Sequence, residues 1–252
     1  MCFHTSLNVP LPELEARYQA TLPGAEGLLP VYHANAYAFP AWPILTRQQP
    51  DTLQLMHWGL IPYWVKTGSD ATDIRSRTIN ARSETMFEKT SFRSAARSGQ
   101  RCLIPVTGFF EWHEEGGKKY PFFISARDQP IVSIAGLWDE WIKPGADPSE
   151  PGGTFRTYTM LTTNANALLS AIHNTKQRMP CVLTAEAEQA WLHDELTEAD
   201  ALRLLATPYP DAQLHSYSVG KQITSRTEPS DVPAVLERVD YPALSNNAQL
   251  FA

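Results

Sequence analysis

The chain has 252 residues, 43% of them hydrophobic and 19% charged, with a net charge of −6. That is enough apolar material for one large domain or two small ones, and it excludes disordered and fibrous classes. The net negative charge argues against broad adhesion to nucleic acids or membranes. The apolar runs fall far short of the roughly 20 residues that cross a bilayer, and residues 1–15 carry Pro10, Pro12, Glu13 and Glu15 in place of a signal-peptide core. A cytoplasmic protein is expected.

Along the chain, residues 12–20 read as a short helix with Leu14 and Tyr18 on one face. Leu53, Leu55 and His57 alternate with Gln54, Met56 and Trp58 as in a strand. Residues 91–98 read as a helix stopped by Gly99. Aromatic and β-branched residues dominate 101–113, 121–125, 131–138 and 155–162, four further strands, with Gly116-Gly117 placed for a hairpin turn. The Pro- and Gly-rich residues 143–153 mark an exposed connection. Residues 165–172, 185–193 and 198–206 read as short helices. Without regular βαβ alternation, the pattern predicts a single α+β domain around a mainly antiparallel sheet or barrel, with short flanking helices. The domain is expected over residues 1–230, followed by a C-terminal tail over 231–252.

The charge is unevenly spread. From Arg75 to Arg101, seven basic residues stand against two acidic ones, whereas from Glu186 onward eleven acidic residues stand against four basic ones. The first stretch suits either a local phosphate-binding surface or an ordinary solvated face. Cys2, Cys102 and Cys181 are odd in number and contain no CxxC pair, which fits neither a disulfide framework nor a zinc module. No Walker loop, GxGxxG, HExxH or GxSxG motif occurs, and neither metal nor cofactor is expected.

Cys2 carries the sharpest chemical suggestion. Removal of the initiator methionine would leave an α-amine and a thiol on one residue, with ordinary pKa values of about 7.7–8.0 and about 8.5. An aldehyde condenses with such an amine, and the thiol then closes a five-membered thiazolidine ring, the second attack gaining from proximity. A cysteine at position two is also commonly incidental. Glu111, within Gly108-Phe109-Phe110-Glu111-Trp112-His113, is either a desolvated carboxyl suited to proton transfer or a strand glutamate facing water. Strand periodicity puts it on the face of Phe109 and His113, opposite Phe110 and Trp112. Asn80 and Arg82 share a face if their segment is extended. His173 ends an apolar helical pattern beside Lys176 and Arg178, as an acid or base or as a polar cap. Trp58 and Trp64 could offer stacking platforms for unpaired bases or pack in the core.

The set Met1-Cys2, Trp58-Gly59-Leu60-Ile61-Pro62, Asn80-Ala81-Arg82-Ser83-Glu84-Thr85, Arg101-Cys102-Leu103-Ile104-Pro105, Gly108-Phe109-Phe110-Glu111-Trp112 and Ile172-His173 with Arg178-Met179-Pro180 resembles the SRAP family. These are the SOS response-associated peptidases, or abasic-site processing proteins. The resemblance implies a compact α+β SRAP fold whose mature N-terminal cysteine forms a covalent crosslink with abasic sites in single-stranded DNA, acting as a monomer in the DNA-damage response. It implies Cys2 as nucleophile, Asn80 and Glu111 as positioning and protonating groups, His173 as an aid to ring opening or reversal, and Arg82 as a phosphate contact. His4, Trp58, Trp64 and Arg178 complete the expected DNA-binding set. Many members begin Cys-Gly-Arg-Phe, where this chain has Phe3 and His4 after Cys2. Residues 32–40 replace the usual Asn-x-Ala-Pro stretch, and four residues separate His173 from Arg178. The alternatives are a cysteine peptidase using Cys2 and His173, and a non-catalytic module that binds damaged DNA.

Overall fold

The computed structural model describes residues 2–250 apart from 26, 151, 226 and 245–249, so the expected removal of Met1 lies outside the described residues. The elements follow in the order β1 (His4–Leu7), α1 (Leu11–Tyr18), β2 (Val31–Asn35), β3 (Ala41–Thr46), β4 (Gln49–Trp58), α2 (Gly68–Arg75), β5 (Asn80–Arg82), α3 (Arg93–Arg97), β6 (Arg101–Val106), β7 (Gly108–Glu115) and β8 (Lys118–Ala126). Then come β9 (Val132–Ile142), β10 (Thr154–Asn164), α4 (Ala167–Ile172), β11 (Arg178–Pro180), β12 (Val182–Leu183), α5 (Ala185–His193), α6 (Glu198–Ala206) and β13 (Leu214–Ser218). This is the expected α+β domain.

Five strands close on themselves in the order β10-β4-β3-β6-β9, the ring being completed by the β9–β10 pair. All these pairings are antiparallel except β4 with β10, so the barrel is mainly antiparallel, as expected, with one parallel pair. Closure removes the open edges that an isolated sheet would expose. A second, wholly antiparallel sheet runs β13-β8-β7-β1-β2.

The two layers join at Thr107, where one continuous strand was expected over 101–113. The chain leaves the barrel there and enters the second sheet. The Thr107 backbone N–H donates to the Ser6 carbonyl at 2.8 Å, and Thr107 Oγ1 accepts from the Asn8 N–H at 3.2 Å. Gly108 is required at the crossing, because a Cβ there would fall 2.3 Å from the Phe123 ring and 2.6 Å from the Ile124 carbonyl oxygen. The change of sheet gives the two faces of β7 different partners. Phe109 faces the main core, whereas Phe110 packs with Phe123, Val219, Ile223 and Val235 in a smaller cluster. The Gly116-Gly117 turn forms as expected, with φ of 58° and 73°, the left-handed pair a tight hairpin needs.

The described part of 231–244 is not a free tail. Asp231 Oδ1 accepts the backbone N–H groups of Tyr32 and His33 at 2.7 and 3.2 Å, Val235 is buried, and the Val239 N–H donates to the Ser218 carbonyl at 2.8 Å. These backbone and apolar contacts tie the described residues beyond 230 to the domain expected to end there.

Candidate active site

Cys2 lies two residues before the start of β1, at the junction of the two layers, and is 1% exposed. Its thiol donates weakly to the His4 carbonyl at 3.4 Å. From the barrel side, β5 lies parallel to β10 with Asn80 opposite Met160 and Arg82 opposite Thr162. That extended pairing aims the Asn80 amide at the N-terminal segment, where Nδ2 donates to the Cys2 carbonyl at 2.8 Å. Asn80 Oδ1 is enclosed without a partner. Burial, reinforced by the nearby Glu111 carboxylate, holds the Cys2 thiol well above its ordinary range. The thiol is therefore kept protonated.

Glu111 comes from β7, opposite Phe122 on β8, and is 2% exposed. Its Oε1 has no hydrogen-bond partner. Loss of hydration pushes its carboxyl up to about 7, opposed in part by Lys176. Such a group exchanges a proton readily near neutrality. His173 terminates α4, a helix begun by Asn166, whose side chain accepts from the Leu169 N–H at 2.9 Å. His113, two residues past Glu111 on the same face, fixes this helix end on β7 by donating Nδ1–H to the Ala171 carbonyl at 2.9 Å. The His173 ring donates Nδ1–H to the Arg178 carbonyl at 3.0 Å, which leaves the lone pair on Nε2. Nδ1 is 3.8 Å from Glu111 Oε2. Burial also lowers the His173 pKa, so the neutral ring is favoured.

Glu111 and His173 border a cavity of about 340 Å³ lined also by Phe3, His4, Trp112 and Lys119, among others. A larger cavity of about 590 Å³ lies between α5 and α6, but Asp200 and Arg203 in its wall pair with each other and none of the candidate residues reaches it. The smaller cavity combines a desolvated acid, a neutral imidazole, two lysines, Lys119 and Lys176, and a second carboxylate, Glu114; Cys2 and Asn80 are not in its lining, and the enclosed thiol meets it through Glu111. It can hold an anionic substrate and move protons beside a nucleophile.

Residues 1–226 match the family described as SOS response associated peptidase, SRAP. The chain belongs to the SRAP family. It is 35% identical over 198 residues, 77% of this chain and 82% of the relative, to the abasic site processing protein YoqW of Bacillus subtilis (strain 168). It is 31% identical over 212 residues, 81% of this chain and 52% of the relative, to the abasic site processing protein YMR114C of Saccharomyces cerevisiae. A crystal structure of a Bacteroides thetaiotaomicron protein superposes with a TM-score of 0.85 at 38% identity, covering 94% of this chain and 100% of that one.

Within this SRAP domain Cys2, Asn80, Glu111 and His173 converge, and His4 lines the cavity that Glu111 and His173 border. Arg82 is exposed two residues beyond Asn80. Trp64 is 40% exposed but lines a separate hollow with Lys66, Asp70 and Arg77. Trp58 requires a correction: it is fully buried, its ring stacks on Tyr158 and its Nε1–H donates to the Ile79 carbonyl at 2.9 Å, so no base can reach its face. Arg178 is also no free surface cation. Its guanidinium pairs with both carboxylate oxygens of Glu84 and donates to the Thr162 carbonyl and to Asn164 Oδ1, with 9% of the side chain exposed. A phosphate contact there requires Glu84 to move first. The reading of residues missed Phe3, Trp112 and Lys119 as cavity walls. Period-two alternation puts Trp112 and Lys119 on the face opposite Glu111, so it carried no signal that they border the same cavity, and none fixes which face the N-terminal segment covers.

Proposed function

We propose that this protein processes abasic sites in single-stranded DNA by forming a covalent crosslink through a mature N-terminal Cys2. The observation that carries the proposal is the convergence of an enclosed Cys2, a buried Glu111 with one orphaned oxygen and a carboxyl pushed up to about 7, and the Asn80 amide on the Cys2 backbone. The amine of Cys2 attacks the C1′ aldehyde of a ring-opened deoxyribose and the resulting carbinolamine loses one water to give an imine. The thiol then adds to the imine carbon, its proton passes to nitrogen, and a thiazolidine results. Because burial keeps the thiol protonated, the amine acts first and sulfur follows.

Glu111 is the proton shuttle for both steps. Protonated, it delivers a proton to the departing hydroxyl; ionised, it draws one from the amine or the thiol. Asn80 fixes the backbone that carries both nucleophiles, and because both belong to Cys2 the ring closure is intramolecular. The neutral His173 offers a second base for opening the sugar or reversing the link. Arg82 and the lysines at the cavity serve the backbone phosphates. A peptidase reading is weaker, because it needs a thiolate that this burial suppresses.

The test is an oligonucleotide with one abasic site, incubated with the protein and resolved on a denaturing gel. A slow covalent band is expected with the wild type and none with Cys2→Ala. A band of equal intensity from Cys2→Ala overturns the proposal.

A further inference from the structure

We propose that His4 and His33 act as one proton-accepting unit, through which the cavity beside Glu111 binds a phosphodiester oxyanion of the DNA strand with uptake of a proton. The inference rests on the DNA substrate proposed above and adds to it a proton linked to binding.

The β1–β2 register, with His4 opposite Asn35 and Thr5 opposite Ala34, brings the diagonal pair His4 and His33 onto one face. His4 Nδ1 lies 2.7 Å from His33 Nε2. The ring planes differ by 9° and the centroids are 5.0 Å apart. Two imidazoles so close through their nitrogens and so nearly coplanar are joined edge to edge by an in-plane N–H···N bond, and not stacked face on face. Trp112 closes on the His4 ring at 4.8 Å and 60°.

Counting protons shows what the pair can do. A neutral pair has two N–H groups among four ring nitrogens, one of them in the shared bond. His33 is 5% exposed and its Nδ1 is enclosed without a partner. A proton there would be a buried donor with no acceptor, so the second N–H belongs on His4 Nε2. His4 carries the pair to the cavity wall.

A third proton must enter at His33 Nδ1, the one ring nitrogen left vacant, and it brings with it the unpaired buried donor that the neutral pair avoids, a cost the bound oxyanion has to offset. The shared proton can then reside on His4, which becomes an imidazolium on the cavity wall while His33 remains neutral. No bond other than N–H is made or broken. Desolvation opposes this charge in the free protein, holding His4 down to about 3 and His33 down to about 4. An oxyanion in the cavity reverses the balance. The groups facing the pair are Glu111 and Glu114 on β7, Lys119 on β8, His173 and Lys176 after α4, and Asp231, which holds the His33 backbone N–H and favours the added charge.

The experiment measures binding of a fluorescent single-stranded oligonucleotide without an abasic site between pH 5.5 and 7.5, in a Glu111→Gln background so that this carboxyl does not titrate. Affinity at least fivefold tighter at pH 5.5 is expected. His4→Gln and His33→Phe should bring that ratio below twofold. His33→Gln, whose amide oxygen can still accept from a protonated His4, should keep it. An equal pH ratio in all four proteins, or binding independent of pH, overturns the proton linkage and leaves the proposed function standing. Absence of the abasic-site crosslink overturns that function instead. Should His33→Phe fail to fold, His4→Gln alone decides.

Discussion

Glu111 and Arg178 are both charged residues buried beside His173, and the molecule treats them oppositely. Every route from the Arg178 terminal nitrogens ends on an acceptor: two oxygens of Glu84, the Thr162 carbonyl and Asn164. Glu111 Oε1 has no acceptor or donor at all, and its carboxyl is pushed up to about 7. A buried charge paired through its terminal nitrogens holds structure together, although the Arg178 Nε itself has no acceptor. An unsatisfied one stores a protonation equilibrium near neutrality, which chemistry can use at the expense of stability. Asn80 Oδ1 belongs with Glu111 in this respect.

The largest effect expected from this contrast is kinetic. Glu111→Gln keeps the shape but cannot take up or release a proton, so single-turnover crosslinking should slow by about 10²- to 10⁴-fold. The same substitution should remove the inflection near pH 7 from the rate profile. A variant within twofold of wild type at all pH values would show that Glu111 does not move the proton.

The same residue should act on stability in the opposite direction. Its folded pKa of about 7 lies above the ordinary 4.5, so the native state binds the proton more tightly than the unfolded chain. Its favourable contribution is complete below about pH 4.5 and is lost as pH rises through 7. Glu111→Gln escapes that loss. Relative to wild type, the variant should gain up to about 3 kcal/mol between pH 4.5 and pH 8, seen as diverging urea midpoints. Parallel curves would mean that the carboxyl is not desolvated.

Arg178→Met tests the other half of the comparison. It strands the Thr162 carbonyl and Asn164 Oδ1 while the half-exposed Glu84 can rehydrate, so the loss should be about 2–3 kcal/mol by urea denaturation. Crosslinking per folded molecule should change less than tenfold, because His173 is held by the backbone carbonyl of residue 178 and not by its guanidinium.

What could be read in advance followed the range of the interactions. α5 and α6 begin and end where expected because Thr184 and Thr197 cap them locally, the latter in a capping box with Asp200. The aromatic run around Glu111 betrayed both the strand and the desolvation. By contrast, α2 was missed because only Ala71 of its eight residues is buried, leaving no apolar stripe to read. β1, β2 and β3 escaped as short segments, with Pro43 inside β3. Barrel closure depends on pairing His57 with Thr157 across 100 residues. Trp58 could be read either as a stacking platform or as core, and closure of the barrel decides for the core. Arg178 looked like a DNA contact because Glu84, its partner, is 94 residues away in sequence. The cluster Cys2, Asn80, Glu111 and His173 was legible as a set of chemical types, but their juxtaposition is a property of two sheets meeting at Thr107.

The smallest effect concerns Arg82, which separates binding from chemistry at the same strand. It lies two residues from Asn80 on β5, exposed and without a protein ion-pair partner among the described residues. Asn80 faces the nucleophile, so its loss should act on the rate of crosslinking. Arg82 can act only on the charge of the surface that meets the strand. Arg82→Ala should therefore weaken binding of single-stranded DNA by roughly threefold to tenfold, at all sequences alike, and lower the salt dependence by about one counterion. At saturating DNA the crosslinking rate should match wild type. A slower rate at saturation would place Arg82 among the groups that orient the sugar, and the boundary between holding the strand and reacting with it would then fall beyond β5.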